Sequence, residues 1–298
     1  DFTCNALYYN IADFSIWDYV GGVGDIRKKR LVLIGDPDKR LREDPVRMLR
    51  AVRFAAKLDF RIDNSVADAI AERRGLLMNV PPARLFDEFL KLFQLGHAEE
   101  TFRLLREHRL FQELFPETGE ELDRDERFLR FVKAALVSTD GRVAAGQSVT
   151  PMFLLGVFLW APVVRFAEHL RAREKVSETL ALGIASQEIT ARQQSRISMP
   201  RRYTGPMREM LVLQPRFAVT HGRRAQKLLE HRRFRAAYDL MMLRAEVGEV
   251  ERETADFWTG VQSESAEQRT TSFGAASKPK SGGRRRRPRR RRRSEAGN

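Results

Sequence analysis

The chain has 298 residues, of which 42% are hydrophobic, and a formal net charge of +14 at pH 7. This hydrophobic share is enough to form a core, and the excess of positive charge indicates a polyanionic partner. The single cysteine excludes an internal disulfide, which fits a reducing, cytoplasmic location. The most apolar stretch, residues 152–164, is too short to span a bilayer, so we expect a buried helix and no membrane partner.

Two short apolar runs, residues 14–20 and 31–34, predict the strands of a β-hairpin. The glycines between them, Gly21, Gly22 and Gly24, are also typical of a phosphate-binding loop. Such a loop must feed a helix, and the pattern predicts no helix directly after these glycines. A hairpin connection is therefore favoured.

The next segment, residues 44–58, predicts a helix with a charged stripe at its start. Asp44 stands directly before Pro45, which is typical of an N-cap. Asp44, Arg47 and Arg50 lie within about a third of a turn, away from the apolar stripe. Arginine offers paired donors and aspartate accepts from exocyclic amines, so this stripe suits a nucleotide base and its phosphates. The alternative is an ordinary solvated helix face.

The pattern stays helical over the following residues and then changes to a polar tail. Further helices are predicted at 65–74, 83–95, 97–107, 122–137, 149–160, 163–183, 187–197, 206–213, 223–231 and 233–248. From residue 262 apolar residues thin out while Ser, Thr, Gly, Lys and Arg take over, which predicts disorder.

Two basic segments are candidates for RNA binding. Residues 192–208 contain Pro200, Gly205 and Pro206 and predict a loop that could hold a single-stranded backbone and stack a base; a plain solvated loop fits equally. The tail arginines are too dense to fold, which indicates non-specific RNA binding or, alternatively, a solvated extension. The residues assigned to RNA are Arg196, Arg201, Arg202, Tyr203, Arg284, Arg285, Arg286, Arg287, Arg289, Arg290, Arg291, Arg292 and Arg293.

Several motifs occur in a recognisable order: DFTCNAL at residues 1–7, DYVGG at 18–22, IGDP at 34–37 and EDPVRMLRA at 43–51. This series resembles the class II nucleotidyltransferases, the family of CCA-adding enzymes and bacterial poly(A) polymerases. The resemblance implies that the DFTxNAL element contacts the sugar and phosphates of a nucleotide and that the EDxxRxxR element reads its base. The nucleotide-binding residues it implies are Asp1, Asn5, Glu43, Asp44, Arg47 and Arg50.

The resemblance also implies Mg²⁺ ions, held by carboxylates on a strand that precedes the DFTxNAL element. That strand motif is absent from the sequence, so we expect a fragment with no catalytic residue or metal ligand of its own, inactive when isolated. Two Asp-x-Asp spacings occur, Asp36 with Asp38 and Asp123 with Asp125. The first pair is predicted to lie in a turn and the second in a helix, and neither arrangement places both carboxylates on one side.

The C-terminal body and the arginine-rich tail are similar to those of bacterial poly(A) polymerases, whereas CCA-adding enzymes in general lack such a tail. This implies transfer of AMP from ATP to RNA 3′ ends, in RNA polyadenylation and mRNA decay, with RNA-decay proteins as further partners. A CCA-adding tRNA nucleotidyltransferase is the first alternative. A non-catalytic RNA-binding module is the second.

The expected fold is mainly α, with a short N-terminal β-hairpin from an α/β nucleotidyltransferase head, an all-helical body and a disordered basic tail. The expected domains are the end of the head at 1–42, a nucleotide-recognition neck at 43–110, an RNA-binding body at 111–261 and the tail at 262–298.

Overall fold

The computed structural model describes residues 1–274, and the first part of this range is a small mixed α/β segment. Strand β1 (Leu7–Tyr9) pairs antiparallel with β2 (Ile16–Asp18), and α1 (Gly22–Arg27) follows. Strand β3 (Arg30–Leu31) pairs in parallel with β4 (Arg61–Ile62), which lies beyond the next two helices. This segment places the N-terminal residues beside the start of the helical region.

A short N-terminal β-hairpin is present as predicted, but the predicted strand pair, residues 14–20 with 31–34, is wrong, because β2 pairs with β1. Gly21 takes a left-handed φ of +82°, which only glycine adopts readily, and this ends the second strand. The carboxylate of Asp18 then accepts hydrogen bonds from the N–H groups of Gly22 and Val23, each at 2.9 Å, so a helix begins here. These N–H donors hold the pKa of Asp18 below its ordinary value.

Helices make up most of the remaining described chain, which confirms the predicted fold class. They are α2 (Pro37–Glu43), α3 (Val46–Leu58), α4 (Asn64–Arg73), α5 (Pro82–Phe93), α6 (Ala98–Glu107), α7 (Leu110–Leu114), α8 (Pro116–Arg124), α9 (Glu126–Ala144), α10 (Pro151–Glu174), α11 (Glu178–Gln194), α12 (Arg201–Val212), α13 (Gly222–Leu229), α14 (Phe234–Glu246), α15 (Arg252–Ser263) and α16 (Ala266–Ser272). Short 3₁₀ segments lie at Thr3–Asn5, Arg74–Asn79 and Gln214–Ala218.

Helix α10 runs through a proline that was expected to separate two helices. Pro162 has no N–H for the carbonyl of Phe158, which a regular helix would pair with it. The buried hydroxyl of Thr118 donates to that carbonyl at 2.9 Å instead. Because the carbonyl is satisfied from outside the helix, α10 continues to Glu174, and the prediction of two helices at 149–160 and 163–183 is wrong.

Within residues 1–274, α10 is long and apolar enough to cross a membrane by length and composition, and 56% of its most apolar window is buried. It packs against α11 and α12. The ring of Phe158 on α10 is surrounded by five other phenylalanine rings, whose centroids lie 5.2–6.3 Å from its own. One apolar cluster therefore joins the early helices to the later ones. The five rings come from α5, α6, α7 and the start of α8, and they belong to Phe89, Phe93, Phe102, Phe111 and Phe115.

The expected disorder from residue 262 is contradicted over residues 262–274. Helix α16 is capped by Ser265, whose hydroxyl accepts from the N–H of Gln268, and Phe273 after it is buried. The ring of Phe273 packs 6.2 Å from that of Trp258, itself fully buried in α15. The cap, the buried Phe273 and the hydrogen bonds from Arg269 to the carbonyls of Val261 and Gln262 together hold residues beyond the point where composition turns polar. The tail arginines lie outside the described residues.

Candidate nucleotide and RNA site

The first residue of the DFTxNAL motif is held beside the segment that follows β3. Phe2 is fully buried and forms a bridge with Leu33. The carbonyl of Asp1 accepts from the N–H of Ile34 at 3.0 Å, and the N–H of Thr3 donates to the carbonyl of Val32 at 3.0 Å. These backbone bonds fix the position of Asp1 relative to the rest of the fold.

The carboxylate of Asp1 lies between arginines of α2 and α3. Its Oδ1 lies 3.1 Å from Nε of Arg47, and its Oδ2 lies 2.6 Å from Nη2 of Arg50. Nη2 of Arg40 is 3.9 Å away. Asp1 and Arg47 are mostly buried, with 17% and 12% of their side chains exposed, so water weakens this ion pair only partly.

The two acidic residues of the EDxxRxxR motif face different partners. Glu43 binds Nη1 of Arg40 at 2.6 Å and lies 3.6 Å from Arg47. Asp44 accepts from the N–H of Val46, the first residue of α3, at 3.3 Å, but the predicted N-cap position is occupied by Pro45 rather than by Asp44. Its second oxygen, Oδ2, accepts from Nη2 of Arg84 at 2.8 Å.

The structure thus brings five of the six predicted nucleotide-binding residues into neighbouring ion pairs at the start of α3. Asn5 is the exception, because its side chain accepts from the N–H of Phe2 and forms no ion pair or hydrogen bond with the cluster. Arg40 and Arg84 belong to the cluster and were missed. The position of Arg84 could have been found from the sequence, because this residue follows Pro82 in the first turn of a predicted helix.

The chemistry of this cluster suits an anionic, planar ligand. Three guanidinium groups, those of Arg40, Arg47 and Arg50, converge on the one carboxylate of Asp1. The Nε of Arg50 is buried without a hydrogen-bond partner among the described residues. The cluster therefore carries an excess of donors, whereas Asp44 supplies an acceptor at the helix start.

The predicted RNA-binding loop at 192–208 is wrong in part, because a helix begins inside it. Pro200 caps α12, and Arg201 and Arg202 are exposed in its first turn. Tyr203 is half-buried, with the Arg202 guanidinium 4.9 Å from its ring centroid and the ring of Phe86 at 5.9 Å. Its ring is thus packed against α5 rather than presented as a free stacking surface.

The remaining RNA candidate of this segment, Arg196, lies in the turn before α12 and has a buried Nη1 without a partner among the described residues. Two residues later, the N–H of Ser198 donates to the carbonyl of Pro82 at 3.0 Å. Since Arg84 in the same turn of α5 binds Asp44, the first turn of α5 joins the Arg196–Tyr203 segment to the nucleotide cluster.

The aspartates of both Asp-x-Asp spacings have structural partners, so they do not fit a two-metal site. Asp36 caps α2 and thus lies at a helix start rather than in the predicted turn. Asp38 binds Arg42 and Arg73, and these hydrogen bonds hold its pKa below the ordinary value. Asp123 binds Arg106, and Asp125 caps α9. Residues 1–274 contain no group of three or more His, Cys, Asp or Glu that could hold a metal.

Three family models match successive parts of the chain. The model described as the poly(A) polymerase head domain matches residues 1–32. The model described as the probable RNA- and SrmB-binding site of polymerase A matches residues 59–122. The model described as the arginine-rich C-terminus of polymerase A matches residues 174–294.

Two curated relatives of this chain are likewise poly(A) polymerases. A poly(A) polymerase I from Escherichia coli O6:H1 is 44% identical over 249 residues, covering 83% of this chain and 54% of that protein. A poly(A) polymerase I from Haemophilus influenzae is 40% identical over 272 residues, covering 90% of this chain and 60% of that protein. The chain thus spans little more than half the length of these relatives.

A solved structure has a similar fold. The Thermotoga maritima CCA-adding enzyme, determined in complex with tRNA, gives a TM-score of 0.51 at 20% identity, covering 87% of this chain and 58% of that one. The family models and the curated relatives agree with the motif order at residues 1–51. The chain therefore belongs to the bacterial poly(A) polymerase family, which is related to the CCA-adding enzymes.

Proposed function

We propose that this chain is the nucleotide-recognition and RNA-binding part of a polynucleotide adenylyltransferase, which transfers AMP from ATP to RNA 3′ ends. The observation that carries the proposal is the ion-pair cluster of Asp1 with Arg47 and Arg50, next to Asp44. It offers both kinds of group that an adenine nucleotide requires: an acceptor for the exocyclic amine and donors for ring nitrogens and phosphates.

Each residue has a role in this proposal. Asp44 accepts from the adenine amine, because Arg84 and the N–H of Val46 hold its carboxylate in place and leave lone pairs free. Arg47 donates to the adenine edge, and Arg50 orients it or contacts phosphate. Asp1 and Asn5 contact the sugar and phosphates, and Glu43 supports Arg47.

Reactions of this class use Mg²⁺, which activates the attacking hydroxyl and stabilises the leaving pyrophosphate. The Asp-x-Asp carboxylates of this chain cap helices or bind arginines, so we assign the metal ligands to residues outside the 298-residue chain. We therefore expect the isolated 298-residue chain to bind nucleotide without transferring it.

The proposed organisation follows the predicted domains, with the head ending near residue 42, the neck at 43–110, the body at 111–261 and the basic tail thereafter. RNA 3′ ends and ATP are the proposed partners, RNA-decay proteins are further ones, and the proposed location is the cytoplasm. The structural relative favours a CCA-adding enzyme as the second candidate, since that protein was solved with tRNA. The arginine-rich match over residues 174–294 favours the poly(A) polymerase.

Nucleotide binding tests the proposal directly. We expect ATP to raise the unfolding temperature of the chain, and Arg47→Ala to weaken ATP binding by about 10- to 150-fold, the equivalent of one charged hydrogen bond at roughly 1.5–3 kcal/mol. Lys57→Ala is the matched control, because Lys57 is exposed on the same helix. An unchanged unfolding temperature in saturating ATP would leave an RNA-binding module as the better account.

A further inference from the structure

A large cleft lies away from the nucleotide cluster, between the end of α9, the segment leading into α10, and helices α14 and α15. Its volume is about 880 Å³, within the range of small-molecule sites. Part of its floor is apolar, formed by Met152, Phe153 and Met242, and Ser148 and Thr150 contribute hydroxyls. Such a mixed floor suits a flat, partly polar group such as a nucleobase.

The rim of the cleft carries five arginines and three carboxylates. Arg232 and Arg233 share the single carboxylate of Glu209, and Arg235 pairs with Asp239 at 3.0 Å. The other two arginines are more available.

Arg142 is exposed and forms no ion pair within residues 1–274. Arg252 is 94% exposed, and its carboxylate partner, Asp256, is 3.9 Å away. Two exposed guanidinium groups on the rim can therefore bind anions without breaking a close internal pair.

Two helices connect the cleft to the nucleotide cluster. Arg84, near the start of α5, binds Asp44, whereas Gln94, just after its end, donates to the carbonyl of Val149 at the cleft edge at 3.2 Å. Helix α12 likewise starts beside the first turn of α5 and carries Glu209, the partner of the cleft arginines, near its end. Ten residues of helix separate Arg84 from Gln94, or about 15 Å.

We infer that this cleft binds single-stranded RNA, holding nucleotides that lie upstream of the 3′ end being extended. The inference rests on the proposed function, since it takes the nucleotide cluster as the place of the 3′ end. A stacked strand rises about 3.4 Å per nucleotide, so about 15 Å corresponds to four or five nucleotides. The bases contact the apolar floor, while Arg142 and Arg252 bind phosphates. RNA is favoured over a protein partner because the rim carries five arginines against three carboxylates, among them the exposed Glu246, and because the whole chain is basic.

The test measures binding of a fluorescent 12-nucleotide oligo(A) to the 298-residue chain at two salt concentrations. The double variant Arg142→Ala/Arg252→Ala should bind about tenfold more weakly, and its salt dependence should fall by about 1.4 in slope, or 0.7 per lost phosphate contact. The matched control is Arg130→Ala/Arg173→Ala, which removes two exposed arginines outside the cleft that form no ion pair in the described structure.

Unchanged oligo(A) affinity in the cleft variant, or an equal loss in the control, would overturn the inference. As a second measurement, a photo-reactive uridine placed five nucleotides from the 3′ end should crosslink to residues 138–153 or 232–256, and crosslinks elsewhere would also overturn it. ATP-dependent stabilisation is measured on the same variants. Its absence from the unmodified chain would refute the proposed function, whereas its retention in a variant that has lost oligo(A) affinity places the defect in the cleft.

Discussion

Replacing Gly22 with alanine should disturb the segment that carries Asp1, whereas the same change at Gly24 should not. A Cβ atom on Gly22 would lie 2.1 Å from the carbonyl oxygen of Thr3 and 2.8 Å from its carbon, and one on Gly24 would meet nothing within 4 Å. Since the obstacle is backbone, the N-terminal segment must move. Such overpacking lowers the free energy of unfolding by about 1–3 kcal/mol, whereas replacing glycine with alanine in a helix raises it by about 0.5–1 kcal/mol.

The net expectation for Gly22→Ala is a loss of up to about 2.5 kcal/mol, which lowers the unfolding temperature by up to about 10 °C. Gly24→Ala should raise it by about 1–4 °C, because only the helix term remains. Thermal unfolding followed by circular dichroism measures both, and the ATP-induced shift should be smaller in Gly22→Ala, because Asp1 moves with Thr3. Equal effects of the two variants on stability would refute the close packing of α1 against Thr3.

Three further predictions concern other parts of the chain. Gly183→Ala, with open space around it, should stabilise the protein by about 0.5–1 kcal/mol, whereas Gly156→Ala should stabilise it less, because its Cβ would lie 2.3 Å from the terminal methyl of the buried Met210, which must shift; thermal unfolding that shows a larger stabilisation for Gly156→Ala would contradict this. Hydrogen bonds from arginines depress the pKa of Asp38, so its stabilising effect is present above its ordinary value of 3.8 and is lost as pH falls through the depressed pKa. Asp38→Asn should therefore flatten the acid limb of unfolding measured between about pH 2 and 5, and an unchanged limb would contradict the prediction. Deleting the residues after Gly283 should reduce the salt dependence of RNA affinity. An unchanged slope of log affinity against log salt concentration would show that the tail does not contribute to RNA binding.

The helical body could be predicted in outline because its apolar periodicity is regular. The helix predicted over 44–58 and the helix that begins at Pro82 both follow from local pattern and proline position, although the N-cap of the first falls on Pro45 rather than on Asp44. The continuity of α10 through Pro162 could not be predicted, since it depends on a hydroxyl from Thr118, which lies 40 residues from Phe158 in the sequence.

The same distinction applies to the candidate site. The helical spacing placed Asp44, Arg47 and Arg50 on one stripe. The contact of Arg47 and Arg50 with Asp1, 46 residues before Arg47, was implied only by family resemblance, because nothing in the spacing relates the two segments. The hairpin at residues 14–34 failed because the capping of α1 by Asp18 is a side-chain contact that apolar periodicity does not report.

The most direct test of the central claim is nucleotide addition by the full-length protein that contains this chain, incubated with Mg²⁺, a generic RNA and each nucleotide separately. Our account predicts long tails from ATP alone, reduced by Arg47→Ala. Addition limited to CCA on tRNA would contradict it and would identify a tRNA-repair enzyme instead.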